Sequence, residues 1–357
     1  MKILILANND VGLYKFRKEL IEELTAEGHD IIISLPDGDL VRPFEQMGCR
    51  FIDTPIDRRG VNPITDLKLL SKYKKIIKTT DPDLVITYTI KPNVYGGIAA
   101  KRAKKQYAVN ITGLGTAFEK PGFIRTLVIA LYKKALRKAK VVFCENSGLQ
   151  DRLVSYGCCD INKTYVLNGA GVNTGYFAYQ PYPENDKVQF LFIGRIMKEK
   201  GINELLAAMK RLIDDGEKCF LHVAGPCEED YGQILSRCES EGWLEYHGYK
   251  EDVRPLIAAC DCVVLPSYHE GMANTNLEGA STGRPVITSD IPGCKESVKD
   301  GESGLLCKPG DADSLYEKMK LMIRANNREE MGAAGRRLMI KEFDRKTVVE
   351  KTVKQLF

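Results

Sequence analysis

The chain has 357 residues, 44% hydrophobic and 28% charged, with 31 Gly and 15 Pro. This is globular usage, which excludes a disordered or collagen-like chain, and at about 100–200 residues per domain it points to two or three domains. The net charge of +4 hides an asymmetry: residues 1–172 hold 27 basic and 18 acidic side chains, residues 173–357 hold 25 and 30, and residues 67–140 hold 17 and three. That distribution suggests an anionic partner near the first half: a membrane, a nucleic acid or an acidic substrate.

In chain order, an apolar run over residues 2–7 reads as a buried strand, and an amphipathic stretch over 14–27 as a helix stopped by Gly28. A strand over 31–35, the turn Pro36-Asp37-Gly38-Asp39, a short strand over 50–52, a helix over 66–80 and a strand over 84–89 follow. Strands alternating with helices of this length imply parallel βαβ units. Runs that are apolar throughout fit strands covered on both faces. The most apolar later stretch, 123–132, is broken by Arg125 and followed by Lys133 and Lys134. It falls short of the ~20 apolar residues that a spanning helix needs.

The pattern restarts after a segment containing Gly169, Gly171, Gly175, Pro181 and Pro183. Strands are expected over 188–194, 219–224, 261–266 and 284–288, with helices over 202–215 and 228–241. The expected fold is α/β, two doubly wound parallel-sheet (Rossmann-like) domains facing a central cleft. The boundaries are an N-terminal domain over 1–170, a linker over 171–186, and a C-terminal domain over 187–357 whose last helix can pack back on the first domain. Eleven cysteines without a C-x-x-C spacing encode neither a zinc site nor a disulfide framework. With no secretory signal, a reduced, cytoplasmic setting is expected.

The strongest constellation is Gly194-Arg195-x4-Lys200-Gly201 with Glu270-Gly271-x6-Glu278. Each follows a predicted strand and precedes a predicted helix, where open α/β sheets bind ligands. Arg195 offers a planar fork of donors suited to phosphate, and Lys200 a compact second charge. The segment Met272-Ala273-Asn274-Thr275-Asn276 opens a helix whose N-terminal end attracts anions. Glu278 lies about one turn further on, within reach of ribose hydroxyls. Singly, such pieces read as turns and solvated charges; their order, spacing and position after strands weigh against that reading.

Here the chain resembles the retaining GT-B glycosyltransferases of family GT4. The resemblance is carried by Gly194 to Gly201, Val223-Ala224-Gly225, His247-Gly248-Tyr249, Pro266 to Glu278, Gly283-Arg284-Pro285 and Gly301-Glu302-Ser303-Gly304. It implies a nucleotide-sugar donor, UDP-linked, in the C-terminal domain. Arg195 and Lys200 would bind the diphosphate, Glu270 the donor sugar and Glu278 the ribose. Gly194, Gly225, Tyr249, Gly271, Met272, Ala273, Asn274 and Asn276 would line the same site. Met272-Ala273 departs from the family's usual aromatic or apolar residue followed by Pro.

The first half is similar to members that extend lipid-linked oligosaccharides for bacterial surface polysaccharides. There Gly12, in Asn8-Asn9-Asp10-Val11-Gly12, stands where relatives carry a Gly-Gly loop, and Thr89-Ile90-Lys91-Pro92-Asn93 lacks the His that many place near Thr89. Lys91 and Asn93 would meet the acceptor, or Lys91 is simply solvated. Gly113-Leu114-Gly115-Thr116-Ala117-Phe118 either lines the acceptor side or is a turn.

Basic clusters at 101–105 and 133–140 flank the apolar stretch from Pro121 to Leu131. They read as a helix lying on an anionic membrane, or as a packed helix with a solvated basic face. No nucleic-acid motif accompanies the charge. No P-loop is present. Asp37-x-Asp39, Asp81-x-Asp83 and Asp311-x-Asp313 are too frequent to single out a metal-binding pair, so neither metal nor cofactor is expected. His29 and His222 read as structural, while His269 stands next to Glu270.

The resulting expectation is a metal-independent, retaining glycosyltransferase acting on a lipid-linked saccharide at the inner face of the cell membrane. A UDP-sugar epimerase or a phosphorylase on the same plan is the alternative, and a non-catalytic scaffold a further one.

Overall fold

Among the described residues, every strand runs parallel to its neighbours in one of two sheets, each with its own helices. The computed structural model describes residues 1–57, 60, 62–115, 118 and 122–357. Thr116 and Ala117 of the Gly113 to Phe118 segment, and Pro121 ahead of the apolar stretch, lie outside them. The chain divides into one body of Met1–Ala170 with Lys346–Phe357, and a second of Gly171–Arg345.

In the first body, strands β1 (Lys2–Leu6), β2 (Asp30–Leu35), β3 (Arg50–Asp53), β4 (Leu84–Tyr88), β5 (Gln106–Ile111), β6 (Val141–Cys144) and β7 (Thr164–Val166) lie in the order β3-β2-β1-β4-β5-β6-β7. Helices α1 (Asp10–Ala26), α2 (Val41–Gln46), α3 (Pro63–Thr80), α4 (Gly97–Arg102), α5 (Phe123–Leu136) and α6 (Ser147–Ser155) connect them. Successive strand side chains point to opposite faces. Leu4 and Leu6 join one apolar cluster, Ile3 and Ile5 another. Both faces are therefore covered, which is why these strands are apolar throughout.

Helix α1 begins at Asp10, earlier than periodicity suggests, because the Asn9 side chain caps it by accepting from Gly12 N at 2.6 Å. Asn62 and Pro63 likewise start α3 ahead of its apolar face. Strand β4 ends at Tyr88 because Thr89 turns to a φ of 69°, a left-handed conformation unusual for a β-branched residue.

In the second body, β8 (Val188–Ile193), β9 (Cys219–Ala224), β10 (Leu244–Tyr246), β11 (Cys262–Leu265), β12 (Val286–Ser289) and β13 (Gly304–Cys307) lie in the order β10-β9-β8-β11-β12-β13. They alternate with α7 (Ile202–Asp214), α8 (Gly232–Ser240), α9 (Arg254–Ala259), α10 (Asn274–Thr282), α11 (Ala312–Arg324) and α12 (Arg328–Leu338). The last helix, α13 (Arg345–Leu356), contributes Val348 and Leu356 to the apolar cluster of β1 and β2.

Residues 171–186 are not a free connector, because their backbone is bound into the second body. Val172 N donates to Phe343 O at 2.8 Å, and Arg345 N to Val172 O at 3.0 Å. The Arg284 side chain, completely buried, donates to the carbonyls of Gln180 (3.0 Å), Pro181 (2.8 Å), Ile257 (3.1 Å) and Ala258 (2.8 Å). A buried guanidinium needs acceptors for its five N–H groups, and the irregular 180–181 segment supplies two of them.

Candidate functional site

Strand order reverses between β8 and β11, so the loops following Ile193 and Leu265 leave adjacent strand ends at the kind of position where open α/β sheets bind ligands. Backbone contacts tie the ends of β8, β9 and β10 together. Gly194 N donates to Ala224 O at 2.9 Å and Gly225 N to Gly248 O at 2.8 Å. A Cβ on Gly225, at φ 138°, would stand 1.9 Å from Gly194 O. A Cβ on Gly201, at φ 74°, would stand 2.1 Å from Pro266 O, so the loop after β8 presses on the loop after β11. Only glycine tolerates both the conformation and the approach.

This contact brings the charged residues together. The Lys200 ammonium donates to Glu270 Oε1, and the Ser267 hydroxyl donates to the same oxygen at 2.8 Å. Both charged side chains are largely buried. Arg195, on the loop from β8, keeps 48% of its side chain exposed and meets Glu228 Oε2 at 3.6 Å. His269 pairs its Nε2 with Glu199 Oε2 at 3.3 Å.

Helix α10 starts at Asn274, whose Oδ1 is buried without a hydrogen-bond partner. Thr275 Oγ1 donates to Ile193 O at 3.0 Å, tying the helix start to the end of β8. Glu278 follows one turn on and is half-buried. Tyr249 is exposed beyond β10. Met272 and Ala273 are buried in the apolar core, and the Asn276 amide donates to Thr288 Oγ1 at 3.0 Å and Ser297 Oγ at 3.2 Å. These three hold the α10 loop from below. The loops after β8 and β11 thus carry two cations, each beside a carboxylate, and the start of helix α10; cations and a helix N-terminus are groups that can bind a phosphate. Ser267 went unnoticed in the sequence, although it lies between Pro266 and Glu270 of the motif itself.

In the first body, Gly12 lies in the first turn of α1. Lys91 is not solvated: its Nζ donates to Asp66 Oδ1 at 2.8 Å, while the Tyr95 hydroxyl donates to Asp66 Oδ2 at 2.8 Å. Burial, and then the hydrogen bond to Asp66, raise the Tyr95 pKa. Asn93 is fully buried; it accepts from Thr87 Oγ1 at 2.8 Å and donates to Asn110 O at 2.7 Å. Its amide therefore ties the Lys91 loop to β4 and β5. Arg17, on α1, pairs with Glu145 at 2.5 Å and lies 5.1 Å above the Tyr88 ring.

Helix α5 buries Tyr132, Ala135 and Leu136 but leaves Phe123 82% exposed, with Ile124 and Leu127 also exposed. Lys101 Nζ donates to Lys134 O at 3.2 Å, so the two basic clusters are neighbours. Desolvation and then the charges of Arg137, Lys134 and Lys138 lower the Lys101 pKa. Among the described residues, no helix is long and apolar enough to cross a membrane.

Comparison with known proteins places both halves of the chain in known families. Residues 179–338 match the family described as "Glycosyl transferases group 1", and residues 2–146 the one described as "Glycosyl transferase 4-like". The chain is 27% identical over 341 residues to the N,N'-diacetylbacillosaminyl-diphospho-undecaprenol alpha-1,3-N-acetylgalactosaminyltransferase of Campylobacter jejuni, covering 90% of this chain and 89% of that one. It is 25% identical over 350 residues to the capsular polysaccharide biosynthesis glycosyltransferase CapM of Staphylococcus aureus, covering 92% and 90%. In fold it matches Anabaena HepE, solved in complex with UDP and glucose, with a TM-score of 0.82 at 20% identity, covering 100% and 99% of the two chains. A glycosyltransferase from Rickettsia africae matches with a TM-score of 0.80 at 19% identity, covering 99% and 97%. With two Rossmann-like bodies and both halves matched, the chain belongs to the GT4-type glycosyltransferases of the GT-B fold.

Proposed function

We propose that this glycosyltransferase moves a hexose or N-acetylhexosamine from a UDP-linked donor to a lipid-linked saccharide, retaining the anomeric configuration and using no metal. The observation that carries the reading is the Lys200–Glu270 pair at the strand-order reversal of the second sheet, with Arg195 on the same loop as Lys200. The UDP bound to HepE supports a UDP donor. The Campylobacter relative, named for a diphospho-undecaprenol saccharide, supports a lipid-linked acceptor.

As the bond from the anomeric carbon to the diphosphate breaks, negative charge builds on the leaving oxygen. Arg195, Lys200 and the start of α10 stabilise that charge. The acceptor hydroxyl oxygen bonds to the anomeric carbon from the leaving-group side, and its proton passes to the departing phosphate. Glu270 orients the donor sugar and Glu278 the ribose. Gly194, Gly225, Gly271, Asn274 and Tyr249 line the nucleotide, while Met272, Ala273 and Asn276 support the loop. In the first body Gly12 and Lys91 meet the acceptor, with Asn93 holding the Lys91 loop in place.

The basic face beside α5 supports peripheral binding to the anionic inner face of the cell membrane. The test is product analysis with UDP-sugars and a polyprenyl-diphosphate saccharide in the presence of chelator. An extended acceptor with retained anomeric configuration is expected. An inverted product, activity that needs added Mn²⁺, or a donor that is only epimerised or transferred to phosphate would overturn the reading.

A further inference from the structure

Strands β9 and β10 pair in parallel register with His222 opposite Glu245, and alternation puts His247 on the same face as Glu245. Leu221, Val223 and Leu244 point the other way, into the core. The sequence alone reads His222 as structural. In the fold, among the described residues, His222, Glu245 and His247 bring one ligand atom each within 4.8 Å of one another.

A neighbouring residue sets the orientation of these rings. Gln189 Nε2 donates to Lys187 O at 3.0 Å, which turns its Oε1 toward His222 Nε2 at 3.1 Å. His222 Nε2 therefore carries the hydrogen, and Nδ1 is a bare lone pair. That lone pair accepts from His247 Nε2 at 3.0 Å and lies 3.8 Å from Glu245 Oε2; an ion takes the place of the shared hydrogen, and His247 then carries its hydrogen on Nδ1, 3.5 Å from Glu245 Oε1. A second-sphere acceptor that fixes a ring in its ligating tautomer is the usual companion of a metal-bound imidazole. The two imidazole side chains are 22% and 12% exposed and Glu245 is 55% exposed, leaving room for water ligands.

We propose that His222, Glu245 and His247 bind one divalent transition-metal ion of the zinc, nickel or copper class at the edge of the second sheet. Two imidazoles and one carboxylate suit those ions, whereas Ca²⁺ and Mg²⁺ favour oxygen-only sets. The edge strand β10 is only three residues long. His247 N donates to Val223 O at 2.9 Å, and the next residue's carbonyl receives Gly225 N. The ion clamps β10 to β9 beside the Gly225 turn and takes no part in sugar transfer, so the inference is independent of the donor chemistry.

The test is calorimetric titration of the full chain, freed of metal, with Zn²⁺. A Cys227→Ser background removes the exposed thiol, whose Sγ lies 3.6 Å from the Tyr246 hydroxyl. One ion per chain is expected, with a Tm that rises with zinc concentration. His247→Gln and Glu245→Gln each weaken binding. Gln189→Leu removes no ligand, yet weakens binding roughly 10- to 100-fold, as loss of an outer-sphere partner does. Co²⁺ in the site shows no thiolate charge-transfer band. Absence of saturable binding in the Cys227→Ser chain, or zinc affinity unchanged in both His247→Gln and Gln189→Leu, overturns the proposal. Either result would identify the cluster as a hydrogen-bonded histidine pair.

Discussion

Lys200 and Glu270 come from loops on two different strands, β8 and β11, yet the lysine ammonium donates directly to the glutamate carboxylate that Ser267 also engages. The pair is largely buried, so each charge depends on the other. Removing one partner of a buried pair strands the second charge, which costs more than the pair contributes. Lys200→Ala should therefore lower both thermal stability and transfer, the latter by roughly 100- to 1,000-fold in kcat, the scale seen when one charge-stabilising donor is lost. Thermal melts and initial rates check this. A double variant Lys200→Met/Glu270→Gln that regains stability without regaining activity would separate the two effects.

Arg195 behaves differently because half its side chain is in water and its contact to Glu228 is long, at 3.6 Å. Exposed pairs contribute about 0–1 kcal/mol. Arg195→Ala should leave the melting temperature nearly unchanged while weakening UDP binding and slowing transfer. Calorimetry with UDP measures the first effect and a rate assay the second. An unchanged UDP affinity would remove Arg195 from the diphosphate site.

Gly225 is a third test, because its Cβ would run into Gly194 O at 1.9 Å in a backbone conformation that side chains rarely adopt. The conformational strain alone is about 1–3 kcal/mol. Gly225→Ala should destabilise the second body and shift the β8 loop, lowering UDP affinity. Denaturant melts together with UDP titration report both.

Membrane binding is the fourth. Phe123, Ile124 and Leu127 are exposed on α5, with Lys133, Lys134, Arg137 and Lys138 exposed at and beyond its end. Each basic residue near an anionic surface contributes about 1 kcal/mol. Liposome flotation should show binding to vesicles rich in anionic lipid and weak binding to neutral ones. Lys133→Glu/Lys134→Glu should reduce it, with Phe123→Ser reducing it further. Equal flotation with neutral vesicles would favour a solvated basic face.

Much of this molecule is local in origin. The alternation of apolar strands and amphipathic helices determined a doubly wound α/β fold, since strand period and helix period are properties of short segments. The spacing of Arg195, Lys200, Glu270 and Glu278 put these four residues on the segments that follow β8 and β11 for the same reason. Helix starts were less legible, because caps such as Asn9 and Asn62 act through side-chain hydrogen bonds that periodicity does not register.

What the tertiary structure alone decided depends on register between segments far apart in the chain. Asp66 claims Lys91, a residue that the sequence leaves between acceptor contact and solvent, and Asn93 is consumed by Thr87 and Asn110 inside the sheet. The stretch over 171–186 looks like a linker by its Gly and Pro content, yet Arg284 needs its carbonyls and binds it into the second body. His222 and His247 are 25 residues apart and meet only because β9 and β10 pair side by side. Charges and hydrogen-bond donors that leave water must find partners wherever the fold brings them, and that demand is met across the sheet rather than along the chain.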